Sequence, residues 1–142
     1  VLLPDVSVLV AAHRDAAPLH QQARSWLIGA LEGEEEVALC LPVVSGLVRV
    51  STSPRVFDPP STHAEVFDFI RSLAAHPAVV WINPGRQHLR LFEESCASCD
   101  ARGDLVSDAL LAALAVEAGA VVVSYDRDFA RFSGVRWERP GD

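Results

Sequence analysis

Gly103-Asp104-Leu105-Val106-Ser107-Asp108-Ala109-Leu110-Leu111-Ala112-Ala113-Leu114-Ala115-Val116-Glu117-Ala118-Gly119-Ala120-Val121-Val122-Val123-Ser124-Tyr125-Asp126-Arg127-Asp128 is the stretch on which the fold turns. Leu105 through Ala118 is dense in Ala and Leu, which lose little freedom in a helix, and Gly119 is a helix stop. Ala120–Val123 follows directly as a short apolar strand. A helix running into a buried strand through one glycine is half of a β–α–β unit, and such units build parallel sheets.

The same alternation extends upstream. Val1-Leu2-Leu3 reads as a strand halted at Pro4-Asp5, and apolar residues resume at Val8–Ala11. Pro18 suits the first turn of a helix with Leu19, Ala23, Trp26, Leu27 and Ala30 on one face. Glu32–Glu36 is a solvated turn. Val37–Leu41 is a second strand, and Pro42 opens a helix carrying Leu47, Val48 and Val50. Ser51–Pro60 is a loop, and Thr62-x-x-Glu65 is a capping box ahead of Val66, Phe69, Ile70 and Leu73. Val79–Ile82 is a third strand, after which a helix takes Leu89, Leu91 and Phe92 towards Cys96-x-x-Cys99. Val135-Arg136-Trp137 is a fifth strand. The expectation is one α/β domain over residues 1–142, with a mostly parallel four- to five-stranded sheet flanked by helices on both faces.

Composition narrows the chemistry. The chain has 142 residues, 50% of them apolar, and a formal charge of −7. All 12 basic residues are Arg. With no Lys there is no Walker-type phosphate loop and no Schiff-base chemistry. No apolar run approaches the roughly 20 residues that span a bilayer. Three cysteines and no secretory leader point to the cytoplasm. Cys96-x-x-Cys99 lacks a second pair at zinc-site spacing and reads as packing. Trp26, Trp81 and Trp137 fall on apolar faces and read as core.

The informative pattern is where the aspartates sit. Asp5 follows the first strand, Asp126 and Asp128 follow the fourth, and Asp104 and Asp108 share a face at the start of the strongest helix. In open parallel sheets, function collects beyond the carboxyl ends of the strands. Crowded carboxylates repel and take up protons unless a cation joins them, and hard oxygen donors suit Mg²⁺, or Mn²⁺ in its place. Asp104 also suits a helix cap, and so does Asp128 ahead of Phe129. Asp5 and Asp108 are the preferred metal ligands, because an acid at a buried strand end or inside an apolar helix is costly without a purpose.

Four segments in order then resemble the PIN domain, and within it the VapC-type toxins of bacterial toxin–antitoxin pairs. Leu3-Pro4-Asp5-Val6-Ser7-Val8-Leu9 resembles the opening Asp-x-Asn-x-Leu, with Ser7 in place of Asn. Leu41–Phe57 is similar to the second helix and its loop. Asp104–Ala109 resembles the third acidic motif, whose acid falls on Asp108. Ser124-Tyr125-Asp126-Arg127-Asp128-Phe129 looks like the closing segment. The family's usual Glu on the helix after the second strand is absent; Ser45-Gly46 stand there.

The resemblance implies an Mg²⁺-dependent endoribonuclease that cuts single-stranded RNA, restrained by a cognate antitoxin and dimeric. It assigns Asp5 and Asp108 to metal, with Asp104, Asp126 and Asp128 as catalytic support. Ser7, Ser124, Arg49 and Arg102 are substrate contacts, and Arg55 and Arg127 are further candidates for phosphate. Without those five aspartates the net charge would be −2 rather than −7. Lacking the Glu, the free protein is expected to hold one ion and a second only with substrate phosphate, and Gly46→Glu is expected to tighten metal binding and raise cleavage provided the helix tolerates the larger side chain. The alternative is a degenerate PIN fold that binds RNA or protein without cutting. A phosphoaspartate enzyme is disfavoured, because Asp5-Val6-Ser7 has no second acid and the chain has no Lys.

Overall fold

The computed structural model describes residues 1–142. Five strands form one parallel sheet in the order β3-β2-β1-β4-β5: β1 Leu2–Pro4, β2 Val37–Leu39, β3 Val79–Trp81, β4 Val121–Val123 and β5 Arg136–Glu138. Six helices connect them: α1 Val6–His13, α2 His20–Glu32, α3 Leu41–Ser51, α4 His63–Ala74, α5 His88–Ser98 and α6 Asp104–Ala118. A 3₁₀ turn spans Arg127–Arg131.

The strand order fixes where a site can form. From β1 the chain steps outward to β2 and β3, then returns across the sheet to lay β4 on the other side of β1. Right-handed crossovers therefore put α1–α4 on one face and α5 and α6 on the other. β1 and β4 run side by side with Pro4 opposite Val123, and the Asp5 amide donates to the Val123 carbonyl at 3.0 Å. Neighbouring strands whose helices leave in opposite directions open a crevice above their carboxyl ends. Asp5 and Ser124 stand at its base.

The strands are short because both faces are covered and each needs only a few fully buried residues. Val37, Ala38, Leu39, Val122 and Val123 are all sealed from solvent, as are Leu3 and Phe129. α6 ends where Gly119 takes a left-handed conformation, φ 67°, which costs residues with a Cβ considerably more. The Thr62–Glu65 capping box forms as the sequence implies, with both reciprocal bonds present.

Val8–Ala11 belongs to a buried helix starting right behind β1. One local expectation is corrected: Trp81, expected in the core, is 46% exposed, because β3 is an edge strand. Leu89 lies on α5 as expected and is 77% exposed at its first turn. No helix is long and apolar enough to cross a membrane.

Candidate metal centre

Asp5 is the only residue between β1 and α1, and it caps that helix: Oδ1 accepts from the Val8 amide at 3.2 Å. The same oxygen accepts from Ser7 Oγ at 2.6 Å, and Oδ2 accepts from Ser124 Oγ. Both hydroxyls are themselves held, Ser7 Oγ by the Tyr125 amide at 3.2 Å and Ser124 Oγ by the Asp126 amide at 2.9 Å. Asp5 is only 7% exposed. Burial raises its pKa despite the bonds from Ser124, Ser7 and Val8 that oppose the shift, and the Asp126 charge raises it further.

Asp108 comes in from α6, one turn inside the helix. It is half-buried, and its pKa is pushed up to about 7, first by burial and then by the charges of Asp126, Asp5, Asp128 and Asp104. One oxygen from each of Asp108, Asp126 and Asp128 falls within 4.8 Å of the others. Asp126 caps the 3₁₀ turn by accepting from the Asp128 amide at 2.8 Å, so the cap anticipated at Asp128 belongs to its neighbour. Asp128 also lies 3.7 Å from Arg131.

The remaining candidates are distributed around this group. Asp104 is exposed and heads α6, whose capping position is taken by Gly103. It acts on Asp108 through space and is not one of the converging three. Ser7 and Ser124 both spend their hydroxyl protons on Asp5. Arg49 lines a cleft of about 300 Å³ together with Asp5, Asp108, Ser45, Gly46 and Ser107. Arg102 lines neither this cleft nor its neighbour and pairs with Asp100 at 2.9 Å. Arg55 and Arg127 are exposed.

A second cleft, about 520 Å³, shares Asp5, Val6 and Asp108 with the first and reaches Asp126. It continues as an apolar channel past Val10, Ala17, Pro18, Leu19 and Val50, with Tyr125 on its wall. Sequence reasoning did not single out Val6, although it stands inside the first motif. A Cβ built on Gly46 would lie 2.4 Å from Val6 Cγ2. Gly46→Glu on its own is therefore sterically blocked, and the expected gain in metal binding is withdrawn. The glycine is required because the first turn of α1 presses against α3.

The sequence and the fold that carry these acids have known counterparts. A family model described as PIN domain matches residues 2–135. The chain belongs to the PIN-domain family. Among its relatives is the protein named Ribonuclease VapC31 of Mycobacterium tuberculosis, 42% identical over 140 residues and 99% of each chain. Ribonuclease VapC25 of the same species is 41% identical over the same extent. The fold matches VapBC2 from Rickettsia felis, solved bound to a promoter DNA fragment, with a TM-score of 0.72 at 15% identity and 97% of each chain covered. It also matches Mycobacterium tuberculosis VapC20, described as a sarcin–ricin loop cleaving toxin, with a TM-score of 0.67 at 16% identity over 96% of this chain and 99% of that one.

Proposed function

We propose that this PIN-domain protein is the toxin of a toxin–antitoxin pair and acts as an Mg²⁺-dependent endoribonuclease. The observation that carries the reading is the convergence of Asp108, Asp126 and Asp128 within 4.8 Å of one another, with Asp108 pushed up to a pKa of about 7 by burial and its acidic neighbours. An unrelieved group of acids is poor for stability and well suited to a hard divalent ion. The donor set fits such an ion: oxygen only, three carboxylates within reach of one another, and no His or Cys beside them. Mg²⁺ at this place would lower the pKa of a water and stabilise charge on the scissile phosphate and the leaving oxygen.

The chain's own residues do the rest. Ser7, Ser124 and the Val8 amide fix the Asp5 carboxylate in one orientation, so its free lone pairs face the cleft. Asp126 and Asp128 come within reach of Asp108 from a turn whose geometry the Asp126 cap sets. RNA enters over an acidic rim, and arginines rather than lysines contact its backbone. Cytoplasmic residence belongs to the same reading.

Two surfaces fit protein partners. The apolar channel past Val10, Pro18 and Leu19 ends at the acids, so an antitoxin segment docked there would bring a basic side chain to Asp5 and Asp126. A groove between α3 and α4, which borders the acidic cleft at Ser45 and Arg49, exposes Leu41 and Phe67 and suits a second copy of the chain. The relatives named VapC ribonucleases and the VapBC2 complex support this assignment.

The test is cleavage of mixed-sequence single-stranded RNA by the purified protein. Cleavage should require Mg²⁺ or Mn²⁺, stop with EDTA, and vanish in Asp108→Asn. RNA binding without cleavage by the metal-loaded wild type would favour the degenerate reading instead.

A further inference from the structure

One wall of the acidic cleft is a single stripe of α3, made by Pro42, Ser45, Gly46 and Arg49. Residues three and four apart share a helix face, so these four look into the same space. Two features of the stripe belong together. At Gly46 no side chain can grow, because Val6 Cγ2 already fills that position. Val6 is β-branched and stands at the first position of α1, directly behind the Asp5 cap, so it has little freedom to turn aside. One helical turn further on, Arg49 is exposed, makes no ion pair, and lines the cleft that holds Asp5 and Asp108. Its other side borders the groove between α3 and α4 that Leu41 and Phe67 also line.

We propose that α3 is the phosphate-anchoring wall of the cleft: Val6 closes the place where a carboxylate could hold a second ion, and Arg49 grips an RNA backbone phosphate beside the one at the acids. The inference rests on the nuclease reading and names the group that handles substrate charge within it. A guanidinium pairs with a phosphodiester through two parallel hydrogen bonds and stays charged at every working pH.

The experiment uses the full chain in the Asp108→Asn background, where cleavage is off and repulsion of RNA is reduced. Anisotropy of a labelled single-stranded RNA is followed in EDTA over a range of salt, with and without Arg49→Gln. Arg49→Gln should weaken binding about tenfold and reduce the log–log salt slope by about 0.7, the share of one phosphate contact. Arg49→Lys should keep the slope while losing part of the affinity. Mn²⁺ titrated into RNA-free protein should fill one site per chain, equally in wild type and in Arg49→Gln. Unchanged RNA affinity and slope in Arg49→Gln, with wild type still cleaving, overturns this proposal alone, and so do two tight Mn²⁺ sites in wild type. A wild type that neither binds nor cuts RNA overturns the nuclease reading and this inference together.

Discussion

Asp5 and Asp108 line the same cleft, and their surroundings make them different. Asp5 is a helix cap with a donor on each oxygen, whereas the charges around Asp108 only oppose its ionisation. Removing the Asp5 side chain takes away the α1 cap, so Asp5→Ala should destabilise the protein by about 1–2 kcal/mol in urea unfolding. Asp108→Asn should do the reverse in metal-free buffer and raise the thermal midpoint. The pH dependence follows from the same group. An unfolded-chain carboxylate titrates near 4, while Asp108 titrates at about 7 in the fold. Between those values the folded state keeps a proton the unfolded state has lost, so stability falls as pH rises towards 7 and levels off above it. The metal-free midpoint should drop from pH 5 to pH 7.5, and Asp108→Asn should flatten that slope. A wild-type profile that rises over this interval would contradict the raised pKa.

At the scale of elements, the contact between α1 and α3 decides what the cleft can hold. An exposed helical Gly→Ala change gains about 1 kcal/mol from backbone entropy. At Gly46 the new methyl would meet Val6 instead, and overpacking of this kind costs about 1–3 kcal/mol, so Gly46→Ala should be net destabilising. In a Val6→Ala background the collision is gone and the same change should become neutral or favourable, a coupling of about 1–2 kcal/mol in a double-mutant cycle. Equal costs in both backgrounds would mean that the two helices do not touch there. This contact was beyond sequence reading, because it depends on how closely two helices approach and not on any local pattern. Local patterns did reveal much else: the Thr62–Glu65 box, the Gly119 stop and the acids at strand ends all lie within a few residues of their cause. Val8–Ala11 reads in the sequence only as an apolar run, since a helix buried on most sides loses its 3.6-residue period. Ser7 and Ser124 show the same limit for the site: their tie to Asp5 links positions 2 and 119 residues away, and only the pairing of β1 with β4 brings the distant one in.

Across the whole molecule, the acids gather where the sheet changes direction, and that leaves the apo protein with a built-in electrostatic cost. The five aspartates account for most of a −7 net charge, and three of them converge on one point. A divalent ion that binds only the folded state therefore acts on global stability as well as on the reaction. At a free concentration a hundredfold above Kd, such an ion stabilises a fold by about 2.7 kcal/mol. For a domain of this size that corresponds to a rise of roughly 5–10 °C in the unfolding midpoint. The rise should itself depend on pH, because the ion must displace the proton on Asp108. Below pH 7 metal affinity should fall about tenfold per unit, while above it the affinity levels off. Metal-free and Mn²⁺-loaded melting curves should thus coincide near pH 5 and separate progressively up to pH 8. The separation should disappear in Asp108→Asn and survive in Arg49→Gln, since the arginine faces substrate and not the ion. If the Mn²⁺-induced shift is independent of pH, the ion is bound by carboxylates other than Asp108, and the centre would have to be rebuilt around Asp5 and Asp126.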